Sequence, residues 1–167
     1  AKNQPKTPAG VTTAQCTAPA GGGIEWKKQP GATDEDLAKA KQMWEDAKKR
    51  RMPDGSKPDT VKAMEALECS DKKTVIKVGP DGNDEQPENE ADGMNPRKGT
   101  NTTINFNPNK TDNYSDGTPR DPESSLAHEA VHAYQDTQGT TPPTREQQEV
   151  SAATAENQHR KAKGLPQ

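Results

Sequence analysis

The sequence predicts a small α+β domain that is mostly helical and carries a short sheet. Four segments repeat apolar residues at helical spacing, and each begins at a residue that can cap a helix. Two shorter runs are rich in β-branched residues. Only 26% of the 167 residues are hydrophobic, and the chain has 15 prolines and 13 glycines. We therefore expect one domain with a small core and long loops.

The N-terminal part of the chain has little to bury. Residues 1–30 are rich in Lys, Pro, Thr and Gly, which predicts a flexible leader or linker before a folded domain at 31–167. The chain does not begin with Met and lacks the apolar stretch of a signal peptide. We expect a processed chain or a piece of a larger protein. Cys16 and Cys69 are too few for a disulfide scaffold, and their spacing leaves open whether they pair.

Two helices are predicted in the first half of the domain. Thr33 and Asp36 have the spacing of a capping box, and Leu, Ala and Trp follow at helical spacing over 33–51. Asp59 is the expected N-cap of a shorter helix at 59–69. Both helices are interpreted as scaffold.

Two strands and a long loop complete the predicted sheet region. Residues 73–78 are β-branched and end at Gly-Pro, which predicts a strand. The acidic segment 79–99 shows no periodicity and is predicted to be a surface loop. Residues 102–106 alternate apolar Ile104 and Phe106 with polar neighbours, which is typical of a half-buried strand, here expected at a sheet edge.

The C-terminal part contains the best-marked helix. Asp121 is its expected N-cap, and Gly139 ends the helix predicted over 122–138. A last helix is predicted from Thr144, through a capping box, to Gly164.

Charge and hydropathy exclude some classes of partner. The 23 basic and 26 acidic residues are well mixed, giving a formal net charge of −3. The chain lacks the basic stripe that binds phosphate backbones, so we expect no nucleic-acid partner. It also lacks an apolar run of roughly 18 residues, so we expect no membrane span.

One motif carries a specific chemistry. His128 and His132 lie four residues apart in the predicted helix 122–138, on one face and about 6 Å apart along its axis. Two imidazoles so placed can bind one Zn²⁺, although other divalent ions accept the same ligands. Glu129 lies between them in sequence and can take a proton from an activated water. The motif predicts a zinc-dependent hydrolase.

A catalytic zinc site needs a third protein ligand, and the last helix offers four candidates. Glu149 ranks first because it lies one helical turn after the Pro-Pro turn. Glu156 is the alternative, followed by Glu146 and by His159, which is expected to be exposed. Asp136 could instead orient a histidine, or be a solvated charge.

Two tyrosines are weaker catalytic candidates. Tyr114, in the loop before the motif helix, and Tyr134, on that helix, could each donate a hydrogen bond to an oxyanion. Tyr134 is equally well explained as a core side chain.

The C-terminal residues resemble a known family. Ser-Leu-Ala-His-Glu-Ala-Val-His-Ala-Tyr at 125–134, a preceding Thr-Ile-Asn-Phe-Asn-Pro strand and the tail at 149–166 are similar to bacterial effector zinc metallopeptidases. These include type III effectors and the zincin-like C-terminal domains of polymorphic toxins such as Rhs and VgrG proteins. The resemblance covers about 100–167.

The resemblance implies a zincin-like fold, in which an edge strand flanks the helix that carries the His-Glu-x-x-His (HExxH) motif at 128–132 and pairs with an extended peptide. By that pattern the substrate-facing residues would be Ile104, Asn105, Phe106 and Asn107, and Glu149 would be the third ligand. It also implies secretion or injection into a target cell, as the C-terminal part of a larger protein, and a cognate immunity protein.

The expected function is therefore a zinc endopeptidase, a toxin or effector domain that cleaves a target-cell protein. Two alternatives stay open at this point: a zinc-dependent amidase of the cell wall, and a non-catalytic, zinc-stabilised binding module.

Overall fold

The computed structural model describes residues 16–167 as five helices and a four-stranded sheet. This agrees with the predicted small α+β fold. In chain order the elements are β1 (Gly23–Lys28), α1 (Asp34–Lys48), α2 (Asp59–Cys69), β2 (Lys73–Val78), β3 (Asp84–Pro87), α3 (Glu90–Gly93), β4 (Thr102–Phe106), α4 (Pro122–Gln138) and α5 (Arg145–Lys163).

The sheet has the strand order β1-β2-β4-β3. Strands β1, β2 and β4 are parallel, and β3 pairs antiparallel with β4. The prediction that 102–106 is an edge strand is wrong, because β4 has a partner on both sides. The sheet has β1 at one edge and β3 at the other, beside β4, and β3 lies in the segment predicted to be a loop. Its sequence, Asp-Glu-Gln-Pro, has no apolar alternation and so gives no strand signal.

The predicted flexible leader is wrong for residues 16–30, whereas 1–15 lie outside the described residues. Gly23–Lys28 form β1, and Ile24 and Trp26 pack against the core. A disulfide between Cys16 and Cys69 joins this segment to the end of α2. These contacts are long-range, and for this reason the local composition does not predict them.

One face of the sheet carries the core. Alternate residues of β2 and β4 are buried, and they pack against the three helices α1, α2 and α4. Helix α5 packs on α2 and α4 through a smaller cluster. The members of the main cluster are Ala40, Trp44, Ala47, Met64, Leu67, Ile76, Val78, Ile104, Phe106, Leu126, Ala130 and Ala133.

The capping predictions are confirmed for α1 and α4. Thr33 forms the full capping box at the start of α1. Asp121 accepts a hydrogen bond from the backbone N–H of Ser124 at the start of α4. Gly139 ends α4 in the left-handed region with φ 74°, where a Cβ would lie 2.0 Å from a backbone oxygen. Asp59, by contrast, is the first residue of α2 rather than its N-cap.

His159 is wholly buried, so its predicted exposure is wrong. Its Nδ1 lies 2.7 Å from Thr60 Oγ1, and its Nε2 lies 2.7 Å from a carboxylate oxygen of Glu123. Glu123 also accepts two hydrogen bonds from Arg50, of 2.9 and 2.8 Å. Burial opposes the ionisation of Glu123, but the hydrogen bonds from His159 and Arg50 and the charge of Lys163 lower its pKa to about 2. The network joins α2, α4, α5 and the residues that directly follow α1. A buried charge needs such partners.

Glu123 makes the stability of the protein depend on pH. Its pKa falls from 4.5 to about 2 on folding, so its contribution is complete above pH 4.5 and is lost as the pH falls toward 2. By linkage the contribution is about 3 kcal/mol. Urea unfolding of the wild type and Glu123→Gln should therefore differ by this amount at neutral pH and converge in acid. Two curves that stayed parallel over this range would contradict the assignment.

The disulfide contributes to stability by restricting the unfolded chain. Cys16 and Cys69 are 53 positions apart. Closing a loop of this size contributes up to about 4 kcal/mol to the free energy of unfolding. Reduction should lower the unfolding midpoint of the wild type in urea, to the value of a Cys16→Ser/Cys69→Ser variant. That variant should not respond to reductant, and an unchanged wild-type midpoint would refute the prediction.

Candidate metal centre

Helix α4 carries two histidines on the face toward α5. His128 and His132 are one turn apart, and their ring centroids are separated by 5.0 Å. Their side chains are mostly buried, with 17% and 11% of their surface exposed. The helical spacing thus produces two imidazoles that one ion could bind.

Helix α5 brings a carboxylate to this pair. Glu149 Oε1 lies 3.3 Å from His128 Nε2, and Glu149 Oε2 lies 3.4 Å from His132 Nε2. One donor atom from each residue falls within 4.8 Å of the others. A tetrahedral ion with bonds of about 2.0–2.1 Å needs ligand atoms about 3.3–3.4 Å apart. The two distances between the Glu149 carboxylate and the imidazoles are of this size, so the three side chains form a possible site for one metal ion.

Glu156 lies against the other nitrogen of His128. Its Oε1 is 2.9 Å from His128 Nδ1. A carboxylate in this position favours a proton on Nδ1, and in the neutral imidazole this leaves the Nε2 lone pair free to bind an ion. Glu156 is thus placed to orient a ligand, and it does not belong to the group of three. Glu146, the third candidate, is exposed and also lies outside that group.

Glu129 is buried beside the two histidines. Burial raises the pKa of Glu129 to about 7. The nearby charge of His128 opposes this rise, whereas the charge of Glu149 adds to it. Burial lowers the pKa of His128, but its hydrogen bond with Glu156 and the charge of Glu129 outweigh burial and raise it. The pKa of His132 is lowered by burial and by the charge of His128.

Two cavities adjoin this group of side chains. The first is lined by β3 residues together with Glu129, His132 and Glu149. The second is lined by residues of the loop before α4, with His128, Glu129 and Glu149. Glu129 and Glu149 line both cavities, which are therefore adjoining halves of one cleft. His132 lines the first half and His128 lines the second.

The tyrosine candidates are placed differently. Tyr114 lines the second cavity, where its hydroxyl is 3.4 Å from Ser125 Oγ and the Arg120 guanidinium lies 4.2 Å from its ring centroid. Tyr134 packs against both hydrophobic clusters and lines neither cavity. The structure brings Tyr114 to the cleft and leaves Tyr134 in the core.

The strand expected to face the substrate does not reach the cleft. Ile104 and Phe106 are fully buried in the core. Asn105 and Asn107 are half-buried, and neither lines either half of the cleft. Because β4 is an interior strand, its backbone already has partners on both sides. The strand beside the cleft is β3, Asp84–Pro87.

A pair of carboxyl groups, of the half-buried Glu85 and the buried Asp136, attaches β3 to α4. Asp136 accepts a hydrogen bond of 2.6 Å from Thr141 and a second one from Glu85. Burial and the neighbouring Asp136 raise the pKa of Glu85 to about 10, so Glu85 is the protonated partner at neutral pH. Asp136 therefore holds the edge strand and not a histidine. Sequence reasoning missed Glu85, because an acidic residue in an acidic loop gives no signal.

A small α+β fold with convergent carboxylates and imidazoles in a cleft is typical of hydrolytic enzymes. A family model for peptidase M91, described as effector protein, matches residues 35–167. The chain belongs to this peptidase family. The match confirms the resemblance to effector metallopeptidases and extends beyond the segment 100–167 that carries it. Neither the curated proteins nor the solved structures compared with the chain gave a significant match.

Membership of an effector family indicates a protein substrate and delivery to host cells. Among residues 16–167, none of the helices combines the length and the apolarity that crossing a bilayer requires.

Proposed function

We propose that this protein is a zinc-dependent endopeptidase, secreted or injected, that cleaves a protein of the target cell. The observation that carries the proposal is the convergence of His128, His132 and Glu149 next to the buried carboxylate of Glu129. A structural zinc site uses four protein ligands, whereas three ligands leave one position open for water or substrate.

The side chains of His128, His132 and Glu149 are of types that bind zinc. Two neutral imidazoles and one carboxylate are ligands that zinc accepts, and Glu156 supplies the hydrogen bond that a ligating histidine needs. A zinc ion held there would polarise the substrate carbonyl and lower the pKa of a bound water. All further roles belong to side chains and backbone of this chain.

Glu129 is the proposed general base and acid. It takes a proton from the attacking water and delivers it to the nitrogen of the leaving amine. Its position one residue after His128 keeps it beside the ligands, and its burial excludes bulk water from the transfer.

Strand β3 is the proposed substrate-binding edge. One side of Asp84–Pro87 pairs with β4, and the strand lines the cavity that contains Glu129. An extended peptide can add to such an edge through backbone hydrogen bonds. This replaces the earlier expectation for Ile104–Asn107. The pair formed by Glu85 and Asp136 joins this edge to α4, the helix that carries His128 and His132.

Delivery as the C-terminal part of a larger protein, and a cognate immunity protein in the producing cell, remain proposals. Both follow from the resemblance to polymorphic toxins, and the effector family indicates only delivery to host cells.

The two carboxylates on α5 should affect zinc binding to different degrees. Glu149→Ala removes a ligand and should abolish stoichiometric binding. Glu156→Ala removes only the partner of His128 and should weaken the affinity by about 10–100-fold. Competition with a chelating dye measures both. Glu146→Ala, an exposed residue of the same helix, is the matched control and should bind as the wild type does. Equal affinity of Glu149→Ala and the wild type would refute the ligand assignment.

The Glu129→Gln variant should bind zinc as the wild type does. Its rate of hydrolysis should fall by a factor of about 10²–10⁴, because the amide cannot accept the proton. Initial rates on a denatured protein, with and without chelator, measure the loss, and Glu146→Gln is the control. Peptidoglycan is the second substrate in the same assay. Release of cell-wall fragments without cleavage of protein would favour the amidase alternative. A fully active Glu129→Gln would exclude metal-assisted hydrolysis by this site.

A further inference from the structure

The two halves of the cleft share three lining residues: Asn83, Glu129 and Glu149. Two of these have proposed roles, as general base and as metal ligand. Asn83 has none. It directly precedes the edge strand β3, in the segment for which the sequence predicts only a loop. A substrate that occupies both halves of the cleft therefore lies against both Asn83 and Glu129.

The side chain of Asn83 is held in one orientation. Its Oδ1 accepts a hydrogen bond of 2.8 Å from the backbone N–H of Asn107. This bond identifies the oxygen of the amide and sets the direction of its NH₂ group. Asn83 Nδ2 is buried and finds no acceptor within residues 16–167. A buried N–H donor without a partner costs free energy, and a native structure normally supplies one. Because Asn83 lines both halves of the cleft, a ligand there is the candidate source of the missing acceptor.

We infer that Asn83 Nδ2 donates a hydrogen bond to the carbonyl oxygen of the scissile peptide bond, an inference that rests on the proposed endopeptidase function. As the water oxygen bonds to the carbonyl carbon, the water proton passes to Glu129 and the carbonyl π electrons move onto the oxygen. Asn83 stabilises this negative charge. When the C–N bond breaks, the electron pair returns to the carbonyl, and Glu129 protonates the leaving nitrogen.

Two features favour Asn83 over Tyr114 for this role. Tyr114 lines only one half of the cleft, and its hydroxyl has Ser125 as a neighbour at 3.4 Å. Asn83 lines both halves and has a free donor. A donor whose orientation is set before the substrate binds needs no reorganisation during the reaction, which is the condition for strong transition-state stabilisation.

The decisive variant is Asn83→Asp, which keeps an oxygen for the Asn107 N–H and removes the donor. Asn83→Ala removes both the donor and the oxygen and adds no charge. A comparison of the two variants therefore shows whether the negative charge of the Asp variant contributes to the effect. We expect kcat to fall by about 10²–10³-fold in both, with KM changed little. Zinc affinity should stay at the wild-type value. The control is Asn101→Ala, whose side chain also accepts a backbone N–H bond but lies outside the cleft. It should keep the wild-type kcat.

The affinity for a phosphinic peptide, which mimics the charged tetrahedral state, is a second measurement. It should not change if Asn83 has only a structural role. Asn83→Ala should weaken the binding of this peptide by the same factor by which kcat/KM falls. Wild-type kcat in both variants, or an effect on KM alone, overturns the assignment of Asn83. Failure of the proposed function has a different signature, which is zinc-independent cleavage or an active Glu129→Gln variant.

Discussion

The antiparallel contact between α4 and α5 is the constraint on which the rest of the structure depends. Along this contact, successive residues of α5 meet earlier and earlier residues of α4. Glu149 lies beside His132 and His128, Glu156 lies on the far nitrogen of His128, and His159 contacts Glu123. The same interface therefore assembles the candidate metal centre at one end and the buried ion network at the other.

This interface is largely polar, and burying its polar side chains costs hydration free energy that contacts between those side chains must offset. Each buried carboxylate or imidazole loses its hydration and remains charged or hydrogen-bonded only because a partner is within reach. The apolar part of the interface is small, and it consists of Val131 of α4 packed with Ala152 and Ala155 of α5. The hydrophobic core is small, and the hydrogen-bonded pairs at this interface supplement its apolar burial. A bound ion would add its binding free energy to the free energy of folding.

The helices were largely predictable, and the strands only in part. Thr33 and Asp121 were recognisable as caps because a helix N-terminus has a local requirement that particular side chains meet. Strand β3 was not recognisable, because an exposed, acidic edge strand needs no apolar alternation when its only partner lies on one side. Strand β1 was hidden in a composition typical of linkers. The role inferred for Asn83 depends on β3 and was inaccessible for the same reason.

By itself the sequence determined the geometry that lies within one helix. His128, Glu129 and His132 hold their mutual positions through the backbone hydrogen bonds of α4, which depend on neighbours three and four residues away. Tertiary structure alone decided which carboxylate meets the imidazoles, which strand forms the edge of the sheet, and whether His159 is buried. These outcomes depend on the direction in which α5 returns and on what packs against each element, and neither is encoded at short range in the chain.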